Sequence, residues 1–563
     1  MRRFWLIPYL IYILAFGLIP LILTFYFVGF TPPTSIKGLI VDFPPGTFNL
    51  ALYNTLLFAT MTALLSTMLA LVLAIRVDSL PMKWQVPMSL IILVPYTIPF
   101  ISSSMIWYTL FDPMYGPFYY LFKLFHIPML NMTTIPGLSI WSVIIVGVWS
   151  STSFAYLMII GGLKSISKEL KEVSQVDGAS LSQYYSGVAL PYIFKIVLTA
   201  FLVIFVLQLG NFDIPYVLTE GGPGYSSTTL PLLIFDLLYF IGDFSGGEAA
   251  AALLAALATL PAVALLYVMR SGGLYVRLPT IKIPDRIYDS LLWILTVIIL
   301  LFLLFPVYWM VVLAFRPNIY DFISPPILYP VAFTINYFVN AITNSASYIS
   351  TSLIVSAFVA LISAILAGTA SYIMSKQNIY WLLLITIYLY SLPSTSFIFP
   401  IYTLFMNSGL LNTWWALILA EPIFTVTLSA WLLFNIYRDL PNEYQELAEI
   451  EGASSTYTLF RIIAPPITRS SWFMVMILSF IISWQLLFYP LILTETPPWL
   501  FNFPPTGAQT VTIFAIEAIR SKAVDWGGLL ASSALVVALP VMVLSYVIMG
   551  RLLEGFNIGG IKG

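Results

Sequence analysis

The sequence contains no cysteine and a single histidine, and only 8% of its 563 residues are charged. Without cysteine it can form neither disulfides nor thiolate metal sites. One histidine leaves Asp and Glu to build any metal site nearly alone, and no clustered spacing suggests one. A net charge of −1 argues against a nucleic-acid partner. Since a soluble domain carries roughly 25% charged residues, this chain cannot cover its surface in water.

Long apolar runs occupy most of the chain, which is 60% hydrophobic and 16% aromatic. Lipid is therefore its main solvent. The runs are too long for barrel strands, and backbone groups in lipid must be paired internally, so we expect an all-α polytopic membrane protein. About twelve transmembrane helices are expected, near residues 5–30, 49–75, 86–110, 138–163, 193–218, 248–269, 288–314, 348–375, 380–405, 412–436, 471–494 and 527–549.

The basic residues predict the orientation of these helices. If the spans alternate from a cytoplasmic start, 18 of the 23 Lys and Arg residues lie on the inner side, and the five outer ones are Lys37, Lys123, Arg316, Arg520 and Lys522. An inner excess of this kind is typical of membrane proteins. The expected location is the cell membrane, crossed many times, with both termini cytoplasmic.

A nine-residue pattern occurs twice, at residues 172–180 and 446–454, and each copy is followed by a proline at the same distance. The offset is 446 − 172 = 274 residues, about half the chain. An internal repeat of this length indicates two homologous six-helix halves, which we place at residues 1–278 and 279–563. The matched positions are Glu172, Asp177, Gly178 and Pro191 in the first copy, and Glu446, Glu451, Gly452 and Pro465 in the second.

Both copies lie in charged inner loops, residues 164–191 and 438–466. Gly178 permits the positive φ that ends one short helix, and Ser180 can accept hydrogen bonds from the N–H groups that begin the next. The predicted shape is two short helices at an angle along the inner membrane surface. A hairpin that only spaces two spans is the alternative, and the presence of two equal copies favours a docking surface over it.

These loops resemble the "EAA" loops of permease subunits in binding-protein-dependent ABC importers. Further stretches are similar to the carbohydrate-uptake group, of the maltose and glycerol-phosphate transporter type, and they are 94–99, 110–113, 147–149, 217–224, 408–413 and 483–485. The first half resembles one member of the usual permease pair and the second half the other, fused in one chain. The family's Glu-Ala-Ala is replaced by Glu172-Val173-Ser174 and Glu446-Leu447-Ala448.

The resemblance implies the partners. Each loop would sit in a cleft of one of two copies of a cytoplasmic ATPase subunit, with its glutamate paired to a basic residue there. A solute-binding protein outside would deliver a carbohydrate. The chain lacks the Gly-x-x-x-x-Gly-Lys-Ser/Thr loop that cradles phosphates, so it is not expected to be an enzyme. ATP and Mg would be bound by the partner ATPase subunits.

A secondary transporter of the major facilitator class is the alternative function, because twelve spans in two halves describe that class as well. Such proteins usually have a long central loop and a Gly-x-x-x-Asp-Arg-x-Gly-Arg-type inner loop. Neither feature occurs in this sequence. The ABC permease is therefore the favoured interpretation.

Polar residues within the apolar runs are candidates for a transport pathway, because they are costly in lipid and tend to face a cavity. Asn211 and Gln485 are related by the 274-residue offset. Their amides can donate to and accept from sugar hydroxyls, or they can bond to neighbouring helices. Glu421 has the same two possibilities, a substrate hydroxyl or a neighbouring helix.

The resemblance adds further candidates for substrate binding, which are Tyr96, Ser151, Phe154 and Gln208. They correspond to sugar-contacting places on the third, fourth and fifth helices of the family. Tyr96 and Phe154 would stack on a sugar face, although aromatic residues in a membrane bundle also serve simply in packing.

The first testable prediction concerns the outer segments 31–48, 219–246 and 495–525, which the topology places where the binding protein would meet the chain. Because the chain has no cysteine, Ser226→Cys and Thr506→Cys would each carry the sole thiol. We expect both to react with a membrane-impermeant maleimide added to intact cells, whereas Ser180→Cys reacts only after permeabilisation. If Ser226→Cys or Thr506→Cys were labelled only after permeabilisation, the predicted topology would be wrong.

Overall fold

The computed structural model describes residues 3–30, 46–126, 132–270, 276–277, 279–441, 443–453, 468–498, 507–520 and 527–558. Helices form the secondary structure of this part of the chain, and no strand occurs in it. The prediction of an all-α protein is confirmed. Pro465, Thr506 and residues 454–466 of the predicted second loop lie outside the described residues.

The described helices of the first half are α1 (Phe4–Tyr26), α2 (Thr47–Ser79), α3 (Met82–Thr97), α4 (Phe100–Leu110), α5 (Phe118–Leu124), α6 (Ser139–Lys164), α7 (Lys168–Val176), α8 (Leu181–Leu209), α9 (Asp213–Thr219), α10 (Leu230–Ile241) and α11 (Phe244–Arg270).

Those of the second half are α12 (Asp285–Ala314), α13 (Asn336–Asn344), α14 (Ala346–Lys376), α15 (Tyr380–Tyr390), α16 (Ser394–Asn407), α17 (Trp414–Arg438), α18 (Glu443–Ile450), α19 (Arg469–Gln485), α20 (Phe488–Leu493), α21 (Val511–Arg520) and α22 (Gly528–Ile558).

Membrane spans account for most of these helices. Nine in the described part of the chain are long and apolar enough to cross a bilayer, and α3–α4 and α15–α16 are further candidate spans bent by 90° and 102°. The remaining predicted run, near 471–494, is divided into α19 and α20. About twelve spans therefore agrees with the structure.

The fifth span differs from its prediction. We expected a short helix after Gly178 followed by a separate span over 193–218, but α8 is one continuous helix from the loop to Leu209. A capping box of Ser180 and Gln183 begins it. A π turn at Tyr185–Ala189 then precedes Pro191. Because Pro191 has no N–H to donate, this wider turn lets the helix continue through it.

Small residues bring the central helices of each half close together. α2 packs along α6, and α14 packs along α17 in the same way. The buried small residues of α2 include Ala59, Ala63 and Ala70, and those of α14 include Ala364 and Ala367. Lipid provides no hydrophobic force between helices, so close backbone approach and interhelical bonds must hold them together. This explains why alanine, serine and threonine line these contacts.

The first helix of each half lies against the other half. On α1, Tyr9 Oη and Thr386 Oγ1 are 2.6 Å apart, and Tyr12 Oη donates to the carbonyl of Leu419 at 2.9 Å. On α12, the carbonyl of Leu303 accepts from Trp149 Nε1 at 3.0 Å. Each of these bonds joins polar atoms that lipid could not satisfy. The two halves are therefore interleaved in one helical bundle.

The outward faces of the spans are apolar. Ile294, Ile298 and Leu301 are exposed on α12 at helical spacing, so they form one stripe along its side. A stripe of this kind is stable in lipid and would be unstable in water.

The packing of α14 on α19 can be tested at a glycine. A Cβ at Gly368 would overlap the indole ring of Trp472, whereas a Cβ at Gly161 on α6 would meet no atom within 4 Å. We expect Gly368→Ala to destabilise the protein by about 1–3 kcal/mol through overpacking, measured as a lower thermal unfolding midpoint in detergent. Gly161→Ala is the matched control and should leave the midpoint unchanged or slightly raised. Equal midpoints for both variants would contradict the described packing.

Candidate functional site

The two repeated loops have the same backbone geometry where the structure describes both. Gly178 has φ +76° and Gly452 has φ +77°, the left-handed conformation that ends a helix. The N–H of Asp177 donates to the carbonyl of Val173 at 3.0 Å, and the N–H of Glu451 donates to that of Leu447 at 3.1 Å. The sequence repeat is thus also a repeat of structure, in α7 and α18.

Both loop helices expose apolar side chains at matched positions. Val173 and Leu447 are 58% and 61% exposed, and Val176 and Ile450 are 87% and 81% exposed. Two such residues three apart lie on one face of a helix. Contiguous exposed apolar side chains beside a charged surface are typical of a protein interaction site. Each helix therefore presents an apolar ridge to a partner.

Glu172 and Glu446 lie exposed on α7 and α18. Neither carboxylate has an ion-pair partner among the described residues. Both carboxylates are thus available to pair with a basic group of another protein.

An acidic residue that the sequence did not single out anchors the first loop. Asp78, near the end of α2, accepts from Lys164 Nζ at 3.0 Å, from Lys171 Nζ at 3.5 Å and from Tyr185 Oη at 2.9 Å. These donors belong to α6, α7 and α8. Asp78 therefore ties α7 to the adjacent ends of three spans, α2, α6 and α8. No spacing signal could have found it, because Asp78 and Lys164 are 86 residues apart.

Three of the predicted substrate-binding residues form one hydrogen-bonded chain. Gln208 Nε2 donates to Ser151 Oγ at 3.0 Å, and Asn211 Nδ2 donates to Gln208 Oε1 at 3.0 Å. Asn211 Oδ1 also accepts from the N–H of Ile214 at 3.1 Å, at the start of α9. All three predicted side chains are buried. The structure thus brings α6, α8 and α9 together through these amides.

Tyr96 and Phe154, the two predicted aromatic residues, are stacked on each other. Their ring centroids are 5.9 Å apart and the planes are inclined by 21°. Tyr96 is part of the bend between α3 and α4, and it is 41% exposed while Phe154 is partly buried. The pair therefore combines packing with an accessible aromatic face, which leaves both predicted roles open.

Glu421 lies within α17, at the turn that joins its segments Trp414–Ala420 and Pro422–Arg438. Its side chain is buried in the bundle. Ser483 Oγ donates to its Oε2. Its Oε1 has no hydrogen-bond partner among the described residues. One oxygen thus has the helix-bonding role that the sequence allowed, and the other is not bonded within this part of the chain.

Asn211 and Gln485, which the 274-residue offset relates, each lie where a helix ends. Gln485 is the last residue of α19, and Asn211 lies two residues beyond the end of α8. Just after them, the rings of Phe212 and Phe488 meet with centroids 5.0 Å apart. The two helix ends therefore converge at the interface of the halves.

The stretch 219–224 forms a turn with a cavity of about 350 Å³ beside it. Glu220, Tyr225 and Asp236 line this cavity together with three glycines of the turn. Two carboxylates face it, so it would favour a basic or hydroxyl-bearing group. Among the described residues, no group of three His, Asp or Glu side chains could hold a metal ion.

Comparison with known proteins gives a family match. Residues 66–271 match the model of the family described as binding-protein-dependent transport system inner membrane component. A probable ABC transporter permease protein of Pyrococcus horikoshii is 30% identical over 253 residues, which are 45% of this chain and 83% of that protein.

Two more relatives have names that include a transported compound. The trehalose/maltose transport system permease protein MalF of Thermococcus litoralis is 27% identical, over 43% of this chain and 85% of that protein. The sulfoquinovosyl glycerol transport system permease protein SmoG of Agrobacterium fabrum is 29% identical, over 39% and 71%. A chain of a bacterial alginate ABC transporter structure aligns at 21% identity and a TM-score of 0.41, covering 47% of this chain and 90% of that one.

The amides at the two helix ends give a testable contrast. Asn211→Ala removes two bonds within the protein, each worth about 0.5–1.5 kcal/mol net, so we expect a lower unfolding midpoint and reduced uptake. The side chain of Gln485 makes no hydrogen bond to the described residues, and Gln485→Ala should keep the midpoint while uptake falls several-fold to about tenfold. Thermal unfolding and uptake are measured on both variants. Early unfolding of Gln485→Ala with normal uptake per folded protein would exclude it from the substrate site.

Proposed function

Because the chain belongs to the family of ABC transporter permeases that work with binding proteins, we propose that it is the transmembrane subunit of a carbohydrate importer. In this importer, one polypeptide supplies both permease halves. The halves are residues 1–278 and 279–563. The observation that carries this proposal is the pair of loop helices α7 and α18, with matched left-handed glycines and matched exposed apolar residues.

The lengths of the relatives support the fusion. The permeases of Pyrococcus horikoshii and Thermococcus litoralis align over less than half of this chain, although more than four-fifths of each relative is covered. One relative thus corresponds in length to one half of this chain. The two loops, one in each half, supply the two docking surfaces that a pair of permeases would offer.

A carbohydrate substrate is supported by the names of the relatives and by the chemistry of the candidate site. Two relatives are named for the transport of trehalose and maltose or of sulfoquinovosyl glycerol. Ser151, Gln208 and Asn211 supply hydroxyl and amide groups, and Tyr96 supplies a partly exposed ring. Amides both donate and accept, which suits a polyhydroxylated ligand.

ATP would be hydrolysed by separate subunits. Two copies of a cytoplasmic ATPase subunit would bind ATP and Mg, and each would receive α7 or α18 with its apolar ridge and its glutamate. Closure of the ATPase pair would move α7 together with the spans that Asp78 joins to it, alternating the access of the central site. A solute-binding protein would deliver substrate from outside, where the cavity beside 219–224 opens.

The docking role can be tested by reversing a charge on each loop. Glu172→Lys and Glu446→Lys place a like charge where a basic partner residue is expected. Loss of one partner of a buried ion pair costs about 3–5 kcal/mol, so we expect weaker co-purification of the ATPase and a loss of ATP-driven sugar uptake. The unfolding midpoint of the permease should be unchanged, because both residues are exposed.

Lys168→Glu on the same exposed helix is the matched control for a change of charge alone, and it should retain most of the ATPase. Full co-purification and full uptake with both glutamate variants would contradict the docking role. Uptake by the wild-type protein in vesicles without any ATPase subunit would favour the secondary transporter instead.

A further inference from the structure

The segment that joins the two halves is bonded to the start of α8. Ser182 Oγ donates to the carbonyl of Ile283 at 3.2 Å and accepts from the N–H of the same residue at 2.9 Å. Ser186 Oγ accepts from the N–H of Ile281 at 2.9 Å. Ser182 and Ser186 are four residues apart, so they lie on one face of the helix. The linker backbone therefore lies along this face of α8, held by the two serine hydroxyls.

Close contact accompanies these bonds. A Cβ at Gly187 would lie 2.6 Å from Thr280 Cγ2, closer than real Cβ contacts allow. The N–H of Leu181, the first residue of α8, donates to Asp285 Oδ1 at 2.9 Å. Asp285 is also the first residue of α12. The start of α8 and the start of α12 thus share one carboxylate.

A second connection to α12 lies beside the linker. Arg76 Nη1 is 2.6 Å from Asp289 Oδ1, and the Arg76 guanidinium lies 3.9 Å from the ring centroid of Trp293. Arg76 is buried on α2, only two residues before Asp78. The same end of α2 therefore holds α7 through Asp78 and α12 through Arg76.

We propose that residues 279–285 function together with the first repeated loop, residues 164–191. Residues 279–285 would carry the displacement of α7 and of the start of α8 directly to α12 in the second half. This inference rests on the proposed function. The route is a chain of hydrogen bonds on the inner surface: α7 to Asp78, Asp78 to Tyr185 in α8, Ser182 and Ser186 to the linker, and the linker into α12. A linker that did not dock on α8 would make no such bonds.

The contact at Gly187 allows a test with its own rescue. Gly187→Ala should push the linker away, because the new methyl group overlaps Thr280 Cγ2. Thr280→Ala removes that methyl group, and the remaining Cβ lies at an ordinary contact distance of 3.8 Å. The double variant Gly187→Ala, Thr280→Ala should therefore restore the docked linker, and Thr280→Ala alone should behave as wild type.

Docking of the linker can be measured without transport. Lys282 is exposed between the two bonded residues, Ile281 and Ile283, so trypsin can cut after it only when the linker leaves α8. Cleavage after Lys282 is mapped by mass spectrometry on the purified full chain. We expect it to be at least about fivefold faster in Gly187→Ala, and also in the double variant that combines Ser182→Ala with Ser186→Ala. Equal cleavage rates in these variants and wild type would overturn the proposal.

The coupling role is measured in the complex with ATPase and binding protein, as sugar molecules transported per ATP hydrolysed. We expect this ratio to fall at least about fivefold in Gly187→Ala and in the double serine variant, with unchanged ATPase co-purification, and to recover in Gly187→Ala, Thr280→Ala. Ser165→Ala is the control. Among the described residues, the Ser165 hydroxyl bonds only to the carbonyl of Gly162 at the adjoining end of α6.

Faster cleavage with an unchanged ratio would show a docked linker without a coupling role and would overturn the proposal. Absence of ATP-driven uptake in the wild-type complex would instead reject the proposed function, and the coupling role with it. The cleavage assay would still report the docking separately, so the two failures are distinguishable.

Discussion

Lipid cannot form hydrogen bonds with the backbone, so a membrane span can be interrupted only where protein surrounds the interruption. Four breaks in the described spans obey that constraint in the same way. Each closes with a hydrogen bond between residues three apart, from the N–H groups of Ile98, Asn211, Leu392 and Leu486 to the carbonyls of Pro95, Gln208, Leu389 and Ser483. The breaks come in pairs, two in each half. The polar and aromatic candidates Tyr96, Asn211 and Gln485 lie at three of them.

The enclosure of these breaks depends on how the halves are interleaved. Neither α1 nor α12 packs only on its own half. Tyr9 and Tyr12 of α1 bond to residues of the second half, and the Leu303 carbonyl of α12 accepts from Trp149 of the first half. Small residues on α2 and α14 then allow the neighbouring helices to approach closely. At Gly210, a Cβ would lie 2.9 Å from Pro393 Cβ, so a break of one half is in direct contact with a break of the other. The candidate site on α8 is therefore packed directly against the second half.

The end of the bundle that carries α7 is organised by charge and by short polar bonds, unlike the membrane-embedded part. Asp78 gathers two lysines and a tyrosine from three different helices. Arg76, on the same end of α2, holds Asp289 on α12. Such interactions are weak when fully exposed, but these carboxylates and the Arg76 guanidinium are partly shielded by neighbouring helices. The region that meets water is thus also the region where the two halves and the first loop are joined by directional contacts.

Much of this protein could be predicted from the sequence, because some signals act within a few residues. The lack of charge identified lipid as the solvent, the apolar runs gave about twelve helical spans, and the repeat located both loops. Gly178 and Ser180 predicted a helix end and a helix start that the structure contains. Only the tertiary structure decided that α8 runs unbroken through Pro191, that Ser151, Gln208 and Asn211 are bonded in one chain, and that Asp78 and the linker residues Ile281 and Ile283 meet the first loop. Most of these contacts join residues that are far apart in sequence, such as Ser151 and Gln208. They depend on how helices pack, which no local pattern records.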